Sequence, residues 1–203
     1  GMSLQAEIMD TYAEDRLRAD LYNFIGLLLA RPAGDMLLEQ TAALTGDDSP
    51  LGQAISGLAR VAKASTPKGV EREFNALFIG LGRGELLPYA SYYLTGFLNE
   101  KPLARLRQDM AALRVTRADN VFEPEDSMAS LMETMAGLIV GRFGEPADID
   151  RQKTFFNNHI APWATHFFTD LEGAKGSVLY ASVGAVGREF MAIEREAFRM
   201  TAG

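Results

Sequence analysis

The stretch MASLMETMAGLIVGRF, residues 128–143, decides the fold class of this chain. Its apolar residues return with the period of an α-helix. They are Met128, Leu131, Met132, Met135, Leu138, Ile139 and Phe143. The segment Glu123-Pro124-Glu125-Asp126 precedes the stretch, and acids with a proline are typical of a helix start. The stretch therefore predicts a helix, and its methionines indicate either ordinary core or an adaptable apolar lining.

Helical spacing extends over most of the chain on both sides of this stretch. One apolar stripe begins at Leu17 in a predicted helix at 11–30, and the last ends at Ile193 in one starting at 179. Further helices are predicted at 35–44, 51–63, 70–78 and 103–113, and a helical apolar face at 155–171 is interrupted near Pro162. Residues 87–98 are predicted as a loop entering a helix. No segment alternates like a strand. We therefore expect an all-α fold of roughly seven to nine helices. It forms one domain, residues 1–203, with hinge loops near 46–50 and 80–88.

Composition limits the classes of function. The 203 residues include 20 Lys plus Arg against 27 Asp plus Glu, a net charge of −7, and 47% of them are hydrophobic. This balance is typical of a soluble globular domain, and the negative charge disfavours nucleic acid and favours basic partners. The absence of cysteine excludes disulfides, thiolate nucleophiles and Cys-ligated metals. No segment is apolar enough to span a membrane and no secretory signal is evident, so we expect a cytoplasmic protein.

Motifs that could support catalysis or metal binding are weak. The run Gly80-Leu81-Gly82-Arg83-Gly84 lacks the preceding strand of a dinucleotide site and the Gly-Lys-Ser/Thr of a P-loop, so it indicates a helix terminator. His159 and His166 have Pro162 between them, and we find no carboxylate close enough in sequence to complete a metal face. Packing beside aromatic residues is the favoured interpretation of both histidines. We expect no catalytic residue, no metal and no cofactor.

Two segments are candidates for recognising a partner. The carboxylates of Glu123-Pro124-Glu125-Asp126 either cap the helix that follows or hold the guanidinium of a basic peptide. Tyr89, Ser91, Tyr92 and Tyr93 lie close together in sequence, and each buried tyrosine hydroxyl needs a partner. This tyrosine cluster indicates either a helix packed at the surface or a wall for a peptide or ligand.

Several motifs follow one another in a recognisable order. They are Pro88-Tyr89-Ala90-Ser91-Tyr92-Tyr93-Leu94, Lys101-Pro102-Leu103, Glu123-Pro124-Glu125-Asp126, residues 156–163 in the form F-x-x-H-I-x-P-W, and Leu179-Tyr180. Their succession resembles that of the TorD/DmsD/NarJ family of cytoplasmic redox-enzyme maturation chaperones, over nearly the whole chain.

The resemblance implies an all-helical fold, no catalytic activity, and a molybdenum-cofactor oxidoreductase subunit as the partner. Such chaperones bind the partner's twin-arginine signal peptide, or its apo form, and hold it from export until the cofactor is inserted. In the family the acidic segment reads E-P-x-D-H, and its Asp and His are implicated in recognising the peptide. Here Asp126 is kept and Ser127 replaces the histidine, so a role that needs an imidazole is in question at that position. The residues expected to bind peptide are Asp126, Ser127, Glu123, Tyr89, Ser91, Tyr92 and Tyr93.

Other functions are open on the sequence alone. Direct binding of the molybdenum cofactor or of guanine nucleotide is the main alternative, with the glycine-rich run at 80–84 as its expected site. A transcription regulator would need a basic recognition helix, and the net charge opposes it even though Arg105, Arg107, Arg114 and Arg117 form a basic group. The resemblance favours a monomer and allows a dimer formed by helix exchange.

Overall fold

The computed structural model describes residues 3–117 and 123–201, which form ten α-helices and no strand. The helices are α1 (Leu4–Ala30), α2 (Asp35–Ala42), α3 (Pro50–Lys63), α4 (Pro67–Phe78), α5 (Ala90–Thr95), α6 (Lys101–Ala112), α7 (Met128–Val140), α8 (Ile149–Phe155), α9 (Ala164–Gly173) and α10 (Leu179–Met200). A π turn, Phe156–Ile160, continues α8. The predicted all-α class is confirmed. The count exceeds the expected range by one. The interruption expected near Pro162 is present, because the π turn ends at Ile160 and α9 begins at Ala164.

Helix α7 is buried around nearly its whole circumference and packs along α1. Ser127 caps its first turn, and Gly141 ends it with a left-handed backbone, φ +80°, which glycine adopts without strain. The side chains of Met128, Met132 and Met135 have no exposed surface. These methionines therefore belong to the core, and the alternative of an exposed apolar lining is wrong.

The apolar stripe predicted for α1 is rotated relative to the buried face. Ile25 and Leu28 of the predicted stripe are fully buried, but Leu17 is 70% exposed, and Tyr22, outside the stripe, is fully buried. Tyr22 packs edge-on against Phe190 of α10 at 4.7 Å between ring centroids. Tyr22 thus occupies a core position. A pattern search based on the spacing of aliphatic residues misses it. At the other end of the chain Ile193, also expected on the core face, is 48% exposed.

Helix α10 begins where a distant carboxylate accepts its free backbone N–H groups. Oε2 of Glu73 on α4 accepts from the N–H of Val178 at 2.9 Å and of Tyr180 at 2.7 Å, and Oε1 accepts from Leu179 at 3.1 Å. A negative charge at a helix N-terminus also opposes the helix dipole. This contact fixes α10 to α4 without any local capping residue.

Helices α9 and α10 approach so closely that only glycine fits between them. A Cβ on Gly184 would lie 2.6 Å from the backbone N of Glu172 and 2.7 Å from the carbonyl oxygen of Phe168. Both are backbone atoms, which cannot swing aside as a long side chain would.

Gly184→Ala is therefore expected to lower the free energy of unfolding by about 1–2 kcal/mol, although alanine favours helices over glycine. Gly57→Ala on α3 is the matched control, because its nearest neighbour there would be the Arg60 guanidinium at 3.7 Å. That variant should gain about 0.5–1 kcal/mol. Urea unfolding of both checks the pair, and equal shifts in the two variants would contradict the close approach.

Both loops proposed as hinges are hydrogen-bonded to their surroundings. The N–H of Gly46 donates to Oγ of Ser56 at 3.0 Å. The Glu85 carboxylate accepts from the N–H groups of Lys175 and Gly176 at 2.8 and 2.9 Å. Hinge motion at either loop stays a prediction. None of the helices among the described residues is long and apolar enough to cross a membrane.

Candidate functional site

The tyrosine cluster and the acidic segment lie side by side in the fold. The N–H of Ala90 donates to the carbonyl of Asp126 at 3.0 Å, and the N–H of Met128 donates to the carbonyl of Pro88 at 2.9 Å. These two bonds form an isolated antiparallel bridge between Tyr89 and Ser127. The bridge places Asp126 at the first turn of α5.

The carboxylate of Asp126 is buried, with 1% of the residue exposed. Its Oδ2 accepts from the N–H of Ser91 at 2.8 Å, in the first turn of α5. Its Oδ1 is also buried and has no hydrogen-bond partner among the described residues. A buried carboxylate oxygen without a partner is costly, and it marks a position where a ligand could supply the missing donor.

The interpretation that the acidic segment caps α7 is wrong. The cap is Ser127, whose Oγ accepts from the N–H of Ser130 at 3.1 Å. Glu125 instead pairs with Arg107 and, at 2.9 Å, with Arg117. Burial alone would raise the pKa of Glu125, but the two guanidinium groups hold it below its usual range. Glu123 is exposed, and only its backbone carbonyl accepts from Arg117, at 2.7 Å.

A cavity of about 340 Å³ lies against Asp126, between α5, α6, α7 and the π turn. We call it the Asp126 cavity, and its lining residues are Ala90, Leu94, Pro102, Arg105, Leu106, Gln108, Asp109, Asp126, Leu131, Asn158 and His159. Two carboxylates and one guanidinium make its walls net negative, and its remaining walls are largely apolar. Such a cavity suits a cationic group carried on an apolar chain.

His159 forms part of the cavity wall and is held from two sides. Its ring lies 4.9 Å from the ring of Phe155, and its Nε2 donates to Oδ2 of Asp109 at 2.5 Å. Its carbonyl accepts from Nε1 of Trp163 at 2.9 Å. The expected packing of His159 beside aromatic residues is confirmed.

The statement that no carboxylate lies close in sequence to the two histidines is wrong for His166. Asp109 reaches His159 from another helix, and Asp170 lies 3.4 Å from exposed His166, one turn further along α9. Even so, no group of three or more His, Cys, Asp or Glu side chains that could hold a metal occurs among the described residues.

The predicted tyrosines do not share the Asp126 cavity. Tyr89 lines a separate cavity of about 250 Å³ with Glu123 and Ser127. Burial raises the pKa of Tyr89, and the nearby charges of Glu123 and Asp126 raise it further. Tyr92 and Tyr93 line a groove of about 450 Å³ on the other side of α5. Of the nominated residues, only Asp126 lines the Asp126 cavity.

Tyr93 is fixed by a hydrogen bond and by ring packing. Its hydroxyl donates to Oδ2 of Asp170 at 2.8 Å, and its ring packs 5.2 Å from that of Trp163. Burial raises the pKa of Tyr93, and the hydrogen bond and negative charge of Asp170 raise it further. The folded state therefore prefers the protonated phenol. This contribution to stability is complete below the unfolded pKa, about 10, and is lost as the pH rises towards the folded value.

Tyr93→Phe is expected to be less stable than wild type by about 1 kcal/mol at pH 7, because the bond to Asp170 is lost. The difference should shrink above about pH 10, since only the wild type then loses stability by ionisation of this phenol. Urea unfolding at neutral and alkaline pH measures it. Tyr92→Phe is the control, because the Tyr92 hydroxyl makes only a 3.4 Å contact with Arg83. A difference that grows with pH would contradict the assignment.

The glycine-rich run at 80–84 follows the C-terminus of α4. The N–H of Gly80 donates to the carbonyl of Asn75 at 2.7 Å, and Gly80 has φ +60°. The run is thus a helix terminator, as the sequence indicates. Carbonyl groups and the negative end of the helix dipole face this loop, which disfavours phosphate binding.

Known proteins are similar to this chain in sequence or in fold. Chaperone protein TorD from Vibrio atlanticus (strain LGP32) is 23% identical over 208 residues, covering 92% of this chain and 97% of the relative. TorD from Vibrio cholerae serotype O1 (strain M66-2) is 31% identical over 102 residues, 47% of this chain and 46% of the relative. The crystal structure of a protein titled as a redox enzyme maturation protein, from Archaeoglobus fulgidus, superposes with a TM-score of 0.60 at 18% identity. That superposition covers 86% of this chain and 93% of the other, and at this identity it concerns the fold alone.

The sequence matches define the class of the protein: it is a TorD/NarJ-type chaperone of redox-enzyme maturation. The model of the family described as nitrate reductase delta subunit matches residues 44–169, more than half of the chain. The chain belongs to that family, and the resemblance seen in its motifs is confirmed.

Proposed function

We propose that this chaperone acts in the cytoplasm and binds the twin-arginine signal peptide, or the apo form, of a molybdenum-cofactor oxidoreductase subunit until the cofactor is inserted. The main support for the proposal is the carboxylate of Asp126. Its buried Oδ1 has no hydrogen-bond partner among the described residues, and its side chain lines a cavity. A guanidinium would supply the missing donors in a charge-assisted bond.

Apolar contacts must supply most of the affinity. A charge-assisted hydrogen bond contributes about 1.5–3 kcal/mol, whereas micromolar binding needs about 8 kcal/mol. Leu94 lines the cavity and is 44% exposed, and Phe97 and Leu98, just after α5, are 69% and 44% exposed. These three side chains offer an apolar surface next to the Asp126 cavity. The hydrophobic segment that follows the arginines of a signal peptide would cover it.

The net charge of −7 adds long-range attraction for a basic peptide. It increases the association rate rather than fixing the pose, and salt screens it. The cavity and the overall charge therefore act at different stages of binding.

Calorimetry with a synthetic peptide tests the proposal directly. The peptide carries two adjacent arginines followed by an apolar segment of about 12 residues, a length typical of the apolar region of a signal peptide. We expect micromolar binding, and about tenfold weaker binding when both arginines are replaced by lysine, because an ammonium cannot bind a carboxylate with two parallel bonds. Equal affinity for the two peptides, or no binding of the arginine peptide at millimolar concentration, would contradict the proposal.

Direct binding of the molybdenum cofactor or of guanine nucleotide has no supporting observation at the loop where it is expected. Equilibrium dialysis against guanine nucleotide separates the two functions. We expect no retention of nucleotide at millimolar concentration, and retention that Asp126→Asn leaves unchanged would favour the alternative.

A further inference from the structure

Asp109 is a second carboxylate at the Asp126 cavity, and the sequence did not nominate it. It lies on α6, and its side chain is 45% exposed, whereas Asp126 is buried. Asp109 also lines a neighbouring cavity of about 320 Å³ that contains Asp148 and Asp150. The partly exposed Asp109 therefore lies between the Asp126 cavity and a cavity lined by two further carboxylates and by Arg151.

His159 fixes the orientation of Asp109. The imidazole is 7% exposed and binds Oδ2 only, so Oδ1 of Asp109 has no hydrogen-bond partner among the described residues. The π turn that carries His159 inserts an extra residue into the helix, and such turns often occur at functional sites. The bond from Trp163 to the carbonyl of His159 holds that turn in place.

Arg105 is a second basic side chain near Asp109, and Asp109 does not bind it. It lies one turn before Asp109 on α6 and lines the same cavity. That spacing brings the two side chains within reach of an ion pair, in the less favourable order in which the base precedes the acid. The structure nevertheless pairs Asp109 with His159, and it shows no ion pair between Asp109 and Arg105. Asp109 is thus turned towards the π turn rather than towards the guanidinium of its own helix.

We infer that Asp109, positioned by His159, is a second cation-binding residue of the peptide site, so that the cavity accepts two guanidinium groups. Asp126 takes one in the buried part, and Asp109 takes the other at the mouth. The inference rests on the proposed function. It adds that discrimination between two adjacent arginines and a single arginine depends on Asp109.

A set of peptides tests this assignment. Asp109→Asn is titrated with the Arg-Arg peptide and with its Gln-Arg and Arg-Gln variants. We expect Asp109→Asn to weaken binding of the Arg-Arg peptide about fivefold, and to change binding of one single-arginine variant less than twofold. Glu39→Gln makes the same charge change at an exposed position of α2. It should not weaken the Arg-Arg peptide selectively.

The outcomes separate the inference from the proposed function. If the Arg-Arg peptide binds wild type and Asp126→Asn weakens it, but Asp109→Asn does not, the inference fails and the proposed function stands. If Asp109→Asn weakens all three peptides equally, Asp109 acts only through general charge, and the inference also fails. If wild type binds none of the peptides, both fail.

The positioning role of His159 needs its own measurement. His159→Phe keeps a ring beside Phe155 but loses the donor to Asp109. We expect it to weaken the Arg-Arg peptide about as much as Asp109→Asn, with no further loss in the double variant, because both changes remove one interaction. His159→Gln retains a donor and should recover part of the affinity. Additive losses in the double variant would assign His159 a merely structural role.

Discussion

Arg18→Met is expected to lower the free energy of unfolding by about 3–5 kcal/mol, because it leaves a buried carboxylate without its counter-ion. Glu194 on α10 is 1% exposed, and both of its oxygens accept from Arg18 of α1, each at 2.9 Å. The Arg18 guanidinium also lies 5.4 Å from the centre of the Phe198 ring. Methionine keeps apolar contact with that ring, so the loss reports the ion pair. Urea unfolding at neutral pH measures it.

An exposed pair of the same type is the matched control. Arg188 on α10 binds Glu172 of α9 through two nitrogens, at 2.9 and 3.3 Å, but the two side chains are 36% and 38% exposed. Arg188→Met should therefore cost less than about 1 kcal/mol. Replacing Arg18 and Glu194 together by apolar residues should recover most of the lost stability. Equal losses at the two arginines would show that burial of Glu194 is not what makes the first pair important.

The helices could be predicted from the sequence. The side of each helix that faces the core could not be predicted in every case. Helix α7 has enough apolar side chains to be buried all round, so its assignment did not depend on choosing a face. In α1 only one side of the helix can face the core. Packing partners such as Phe190, about 170 residues away in sequence, determine which side it is. Leu17 was therefore assigned to the core and is exposed. Contacts with residues distant in sequence decide which side chains of α1 are buried. The spacing of apolar residues gives no information about those contacts.

The candidate site was predictable only as separate segments. Asp126 was identified from its motif, but its contact with Ser91 joins residues 35 positions apart. The bond from His159 to Asp109 joins residues 50 positions apart, and no spacing rule relates them. The tyrosines were grouped because they are close in sequence, but Tyr89 lies in the extended bridge to Ser127 before α5, whereas Tyr92 and Tyr93 lie within that helix. Tyr89 and Tyr92 consequently line different cavities.

Asp126→Asn is expected to weaken binding of the Arg-Arg peptide about 10- to 100-fold while leaving the melting temperature nearly unchanged. The amide oxygen of asparagine can still accept from the N–H of Ser91, so the start of α5 keeps its hydrogen bond. The negative charge that would hold a guanidinium is lost, and a charge-assisted bond contributes about 1.5–3 kcal/mol. Calorimetric titration gives the affinity, and thermal unfolding gives the stability of the same preparation.

Asp126→Ala separates the binding role of this carboxylate from its structural role. Alanine also leaves the buried N–H of Ser91 without an acceptor, which costs about 1–3 kcal/mol of stability. The alanine variant should thus lose both affinity and melting temperature, whereas the asparagine variant loses affinity alone. Glu39→Gln on α2 controls for the change in net charge. Unchanged peptide affinity in Asp126→Asn would reject the binding role, and a large fall in its melting temperature would show that the charge itself stabilises α5. The first result would remove the buried carboxylate as the reason that this cavity binds a cationic peptide, and the second would assign that carboxylate a structural role in α5.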